Sequence, residues 1–444
     1  MMNRVTPAES AKDPARVHYT GMSSALRPDL LVALDAPWLK VAYAAIAIGV
    51  FLSGYHVLRA SSINLTLSDI ALIAAAIIFA ARGQLATHPF GSLTGFWLLG
   101  FTLMVGGLFL SSVVNGNPAR GLIVAAQYSA ALLLVPFVLA SADLRFTKRL
   151  PVLFVVGVSI SQLIGLIALA LFTHADTRDL LGPGFITGNG RIGAMAGEPN
   201  PNGALVAFAL PMLVYSWQQG LMRKELVLLF AILLTWGLVQ SASFTGFVAA
   251  AVGVSVALAL TGFRYLLVAV SVVLVVVSLF IASDAALPEV FRERVLGAIA
   301  TGDFSQAGTF TARSDLIAEA WELSQGKLLL GLGADQYRQV SVYGAPVHNL
   351  QLLVWTEGGF TAICGLVILL CLLLLLACVG LRNHRAESAM AVAVVVVFLI
   401  YTSSIPHMYS RFWTVPVMVA LSTIYALRGR PPSKPGEVNA VATV

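Results

Sequence analysis

Charge is what this sequence has least of. Asp, Glu, Lys and Arg together make up 11% of its 444 residues, against about 25% in soluble domains. So little charge cannot cover a globular surface, and the residues AVILMFWYC supply 58% before any of the 38 glycines is counted. Lipid is the solvent such a chain requires. Cysteine is scarce too. Cys364, Cys371 and Cys378 recur every seven residues on one helix face. Neighbours therefore stand about 10.5 Å apart, too far for a disulfide, and read as packing residues. No Gly-x-x-x-x-Gly-Lys-Ser/Thr loop is present, which excludes nucleotide hydrolysis by that route. There is no His-Glu-x-x-His, and no two aspartates are separated by one residue. Neither a metal nor another cofactor is expected. The net charge of +6 is spread over short connections, so no nucleic-acid partner is expected either.

What the sequence does have is long apolar runs. Twelve are long enough to cross about 30 Å of hydrocarbon: 38–57, 66–82, 92–114, 119–140, 151–173, 203–219, 224–241, 243–262, 265–283, 348–379, 388–404 and 412–428. The sixth opens on Asn200-Pro201-Asn202 and carries Pro211, so a kink or a break is expected there. The predicted class is an all-α polytopic membrane protein of about twelve transmembrane helices. Residues 1–36 are polar apart from Leu30–Leu34, bounded by Asp29 and Asp35, so the first apolar run is expected to target and anchor the chain.

Lys and Arg set the orientation. Placing both termini in the cytoplasm puts 17 of the 27 basic residues there, as the positive-inside rule asks. The organisation is then a cytoplasmic segment 1–37, spans one to nine over 38–283 with an outer loop at 174–202, a large outer loop 284–347, spans ten to twelve over 348–428, and a cytoplasmic tail 429–444. Within the large loop, Leu287–Ala300 and Thr311–Ser324 show helical periodicity, which predicts a small helical cap.

The polar residues that could carry chemistry lie at the outer edges of the spans. Arg191 sits in Gly190-Arg191-Ile192-Gly193, followed by Glu198-Pro199-Asn200-Pro201-Asn202. A guanidinium offers a planar fork for phosphate oxygens; the plainer reading pairs Arg191 with Glu198 or Asp179. Arg313 opens the second loop helix and could instead pair with Glu289 or Glu293. His348-Asn349 heads the tenth span, where an imidazole can accept a proton near neutral pH or simply stay wet. Glu357 lies at membrane depth and needs a partner, which favours a structural role. His407 and Arg411, in the last outer connection, could join the same site.

Three stretches together resemble the O-antigen ligase and polymerase superfamily of membrane glycosyltransferases. They are Arg191-Ile192-Gly193 with Pro201-Asn202-Gly203; Arg313 with Trp321 and Leu328-Leu329-Leu330-Gly331-Leu332-Gly333; and His348-Asn349-Leu350-Gln351-Leu352 with Glu357-Gly358-Gly359. The sequence departs from many relatives at Phe244, where an arginine often follows the serine, and at Lys327, where a proline often stands. The resemblance implies a GT-C-like fold in the inner membrane of a Gram-negative bacterium, with the site facing the periplasm. It implies transfer of a glycan from undecaprenyl diphosphate, with lipid A–core as acceptor in ligases. Polymerases use a second carrier-linked repeat and pilin glycosylases use pilin. One large loop between spans nine and ten looks more like a ligase. On this reading His348 is the base, Arg191 and Arg313 hold the diphosphate, and Asn349, Asn202, Glu198 and Arg411 contact substrate. A lipid or solute transporter is the rival reading; the scarcity of ionisable residues near midplane weighs against it. Oligomeric state is not written in these features.

Overall fold

The computed structural model describes residues 36–60, 64–262, 264, 267, 287–302 and 310–428, with side chains omitted at 310–312, 427 and 428. Except for residue 267, the expected ninth span, 265–283, lies outside the described residues, as do 1–35 and 429–444. The chain divides into Met1–Lys40 and Val41–Val444. Of the first unit only the opening turn of one helix is described.

The described elements run α1 (Pro37–Phe51), β1 (Arg59–Ala60), β2 (Leu65–Thr66), α2 (Leu67–Ala81), α3 (Thr94–Asn115), α4 (Pro118–Ala140), α5 (Leu144–Leu171), α6 (Pro199–Gln218), α7 (Lys224–Ser241), α8 (Phe244–Thr261), α9 (289–301), α10 (Phe310–Gln325), α11 (Leu350–Cys378), α12 (Arg385–Thr402) and α13 (Arg411–Arg428). Helix starts follow local chemistry. Thr66 and Asp69 close a capping box on α2. Asn117 caps α4 ahead of Pro118. Ser243 caps α8 and Asn349 caps α11.

The protein is an all-α polytopic membrane protein. Among the described residues eight helices are long and apolar enough to cross a membrane: α1 with its extension to Gly54, α3, α4, α5, α7, α8, α11 and α12. Three more of the expected spans are helical without joining that set. Helix α2 is shorter, α6 opens on Pro199-Asn200-Pro201-Asn202, and α13 begins at an arginine. Helix α6 is buried along most of its length and forms the centre of a group with α5, α7, α8 and α12. Helices α3 and α11 lie close together because glycines face each other. A Cβ on Gly107 would stand 2.7 Å from the Ala362 nitrogen, and one on Gly365 would stand 2.2 Å from the Met104 nitrogen. Small residues are what allow helix backbones to approach so closely in lipid.

Two expectations about helix interiors are corrected. Helix α6 runs unbroken through Pro211, while the interruption falls in α11 at Gly359, whose φ of 68° and ψ of −165° leave the helical region. Glycine is required there. A Cβ would also lie 2.2 Å from the Leu329 carbonyl oxygen. The second correction concerns the cysteines, of which Cys371 and Cys378 stand exposed rather than packed inside.

The break in α11 has a use. The carbonyls of Thr356 and Glu357 accept the N–H groups of Leu332 and Gly333, and Phe360 N–H donates to Leu328 O. The Glu357 carboxyl accepts the backbone N–H of Asp335 at 2.8 Å and of Tyr337 at 3.2 Å. Residues 328–337 are thus stitched onto the helix, and Glu357, 2% exposed, is an anchor for that loop. Glu357→Ala would leave two buried N–H groups unpaired, at about 1–3 kcal/mol each. A clearly lower unfolding midpoint of the detergent-solubilised protein is expected. An unchanged midpoint would remove the anchoring role.

Candidate active site

One set of described connections lies at one end of the bundle: 52–60 with 64–66, 116–117, 172–198, 242–243, 287–302, 326–349 and 403–410. A cavity of about 480 Å³ opens there, lined by His56, Glu198, His348 and Ser404 from these connections and by Arg120 and Thr245 from the neighbouring helix starts. Its size falls in the range of small-ligand sites, about 300–1,000 Å³.

The first wall is cationic. Arg313 and His348 line it together. Arg191 stands behind Asn200, which also lines the cavity: Arg191 Nη2 donates to Asn200 Oδ1 at 3.0 Å, and Arg191 Nε donates to Ser241 O at 2.8 Å. The loop that carries it is fixed by the Ile186–Ile192 bridge and by Ile192 N–H on Gln240 O. Both partners of Arg191 are neutral oxygens, and it is 9% exposed. Burial, then Arg294, then Arg313 push its pKa down to about 10. The same causes act elsewhere in the cluster. Arg313 is lowered by burial and Arg294, and His348 by burial and Arg313, with a hydrogen bond to the Ser404 backbone acting in the opposite direction. Among the described residues no ion pair joins Arg191 to Glu198 or Asp179, nor Arg313 to Glu289 or Glu293. Arg294 repels both Arg191 and Arg313, and Arg313 repels Arg191, so a partly buried cluster of guanidiniums defines a place where an anion is wanted. At neutral pH all three stay charged, and the imidazole is neutral.

A second wall comes from the β1–β2 hairpin. Arg59 Nη1 lies 2.8 Å from His56 Nε2 and donates to Asn64 Oδ1 at 3.2 Å. Glu198 faces this group, its carboxyl raised by partial burial and lowered by Arg59. A third side carries Arg120, whose Nε donates to Asp335 at 2.5 Å; Arg338 shares the same carboxylate at 2.7 Å.

Of the residues singled out in the sequence, Arg313, His348, Glu198 and His407 therefore line one cavity, with Arg191 directly behind it. Three of the expected substrate contacts are engaged elsewhere. Asn349 accepts the Leu352 N–H as a helix cap. Asn202 exchanges hydrogen bonds with Gln162 and donates to Ile192 O, fully buried. Arg411 makes a buried ion pair with Asp69 and donates to Tyr409 O at 2.7 Å. His56, Arg59, Arg120, Gln127, Arg294 and Tyr401 were not singled out. Arg59 and Arg120 were visible as basic residues in short outer connections, a signal that could have found them.

Two cavity histidines set a pH dependence. Burial foremost lowers His56 to about 4, with Arg59 adding to it. Burial also lowers His407 to about 4, with Asp335 opposing and Arg120 and Arg338 assisting. Unfolded, each returns to about 6.5. Between pH 6.5 and about 4 the unfolded chain binds more protons, so stability is lost as pH falls through that window. The unfolding midpoint is expected to drop from pH 7.5 to pH 5, and His407→Gln should flatten the drop. A midpoint flat over that range would contradict the buried, neutral histidines.

Residues 228–370 match the O-antigen ligase family model. This stretch, about a third of the chain, is similar to that family. It contains Arg294, Arg313, His348 and Glu357, and leaves Arg191, Glu198 and the hairpin outside. The match supports the superfamily of membrane glycosyltransferases that groups O-antigen ligases and polymerases. No curated protein matches the chain. The matched stretch thus carries the loop helices, His348 and the Glu357 anchor, while the first half of the chain and residues 401–413 supply the opposing walls of the cavity.

Proposed function

We propose that the protein is an O-antigen ligase, moving a glycan from undecaprenyl diphosphate to a sugar hydroxyl of lipid A–core. The observation that carries the reading is the cluster of Arg191, Arg294 and Arg313 beside His348 at one end of an apolar bundle. On this reading the fold is a twelve-span GT-C-like protein of a Gram-negative inner membrane. Both termini lie in the cytoplasm and the cavity faces the periplasm, where no nucleotide supply exists and a carrier-activated sugar provides the driving force.

The chemistry follows from the parts. His348, neutral, takes the proton of the acceptor hydroxyl. The freed oxygen bonds to C1 of the donor sugar from the face opposite the diphosphate, and the C1–O bond to the diphosphate breaks. The configuration at C1 inverts. The leaving diphosphate keeps the electron pair, and its growing charge meets preorganised guanidiniums. Arg313 and Arg294 supply charge, and Arg191, held by Ser241 O and Asn200, supplies a fork of fixed direction.

The test is reconstitution with carrier-linked glycan and, separately, lipid A–core, a second carrier-linked repeat, or pilin. Product on lipid A–core supports the ligase. Product only on the second or third acceptor moves the protein to the polymerase or pilin branch, and no product with any acceptor would sink the transferase reading.

A further inference from the structure

The cavity has one wall that the proposed mechanism leaves unused. From His407 to Trp413 the chain turns a strip of aromatic rings toward it: His407, Tyr409, Phe412 and Trp413 all line the cavity. The rings are braced against each other. His407 stacks on Tyr409 with centroids 4.9 Å apart at 26°, and Tyr128 meets Tyr409 edge-on at 5.1 Å and 87°. The strip is also fixed from behind, since Arg411, paired with Asp69, donates to Tyr409 O.

Beside this strip stands Gln127, which lines the same cavity. Its side-chain oxygen is buried and has no hydrogen-bond partner among the described residues. A buried amide oxygen left unpaired is costly, and what it lacks is a donor. Aromatic faces call for an apolar surface, while Gln127 calls for a hydroxyl. A pyranose ring offers both, with C–H groups on its faces and O–H donors on its rim. A hydrocarbon tail would satisfy the rings and leave Gln127 unpaired. An anion would repel an acceptor oxygen, and the nearby Arg120 is already held by Asp335.

We propose that the His407–Trp413 strip with Gln127 is the sugar subsite, binding the ring joined to the carrier diphosphate and setting which glycan is accepted. This rests on the transferase reading above. The strip is continuous with the cationic wall, because its approach at Ser404 bonds His348. A sugar stacked there has its anomeric end toward the imidazole and its diphosphate toward the arginines.

The experiment compares binding of two lipids, undecaprenyl diphosphate bare and glycan-linked, to the full-length detergent-purified protein. Tyr409→Ala and Gln127→Leu are each expected to weaken the glycan-linked lipid about tenfold, the scale of one buried contact, with the bare lipid unchanged. Tyr409→Phe should keep wild-type binding, since the ring face and not the hydroxyl is used. Equal weakening of both lipids would assign the strip to the prenyl chain or to folding and overturn the subsite. No weakening would overturn it as well. Wild-type protein that binds neither lipid would instead remove the transferase reading, and the subsite with it.

Discussion

His348→Ala is expected to lower transfer by about 10²–10⁴-fold, the usual contribution of a general base, in a protein that still folds. The imidazole lies at the cavity wall, one loop residue before the cap of α11, so its removal touches neither the helix nor the Glu357 anchor. Arg313 and burial hold it below its ordinary pKa, which has two consequences. It is unprotonated at pH 7 and free to accept. It is also reluctant to stay protonated until negative charge develops on the departing diphosphate nearby, which ties proton uptake to bond breaking. The acid limb of the rate profile should accordingly lie below the ordinary imidazole value of about 6.5, with activity lost as pH falls through the lowered pKa. The measurement is the transfer rate from carrier-linked glycan, alongside the unfolding midpoint as a folding control. Native rates in His348→Ala would take the imidazole out of the mechanism.

The sequence made depth legible and left direction hidden. Apolar runs bounded by polar turns placed His348 and Arg313 correctly at one end of the bundle, and the cap signals at Thr66, Asn117 and Asn349 mark real helix starts. Two loop helices appear at 289–301 and Phe310–Gln325, close to where periodicity predicts them. What periodicity cannot supply is the partner across space. Arg411 looked like a substrate contact because it follows an outer loop, yet its charge is matched by Asp69, 342 positions earlier. Asn202 was expected to contact substrate, yet Gln162 of α5 claims its amide. Both depend on which helices neighbour each other, and nearly uniform apolarity around each span erases the stripe that would tell. The pairing of Arg59–Ala60 with Leu65–Thr66 was missed for a related reason: the connection between the first two apolar runs is too short and polar to show a strand period. Arg294 was hidden inside a charged helix turn that reads equally well as a solvated face.

Arg191→Lys is the second large effect, and it separates charge from geometry. Lysine keeps the positive charge but offers a single flexible ammonium in place of a planar fork. In the native protein Nε is fixed on Ser241 O and Nη2 on Asn200, so the guanidinium is aimed before substrate arrives. An ammonium cannot hold those two oxygens and still face a diphosphate in the same direction. Losing one preorganised donor to a developing oxyanion costs about 10²–10³-fold in kcat, and the lower end of that range is expected here because Arg294 and Arg313 remain. The loss should appear in kcat with KM for the carrier-linked donor little changed, since the charge in question grows mainly in the transition state. A rise in KM alone would mean that Arg191 only holds the ground-state lipid. Full kcat with lysine would mean that any positive charge suffices at this position, and the fixed fork would then be a feature of folding rather than of transfer.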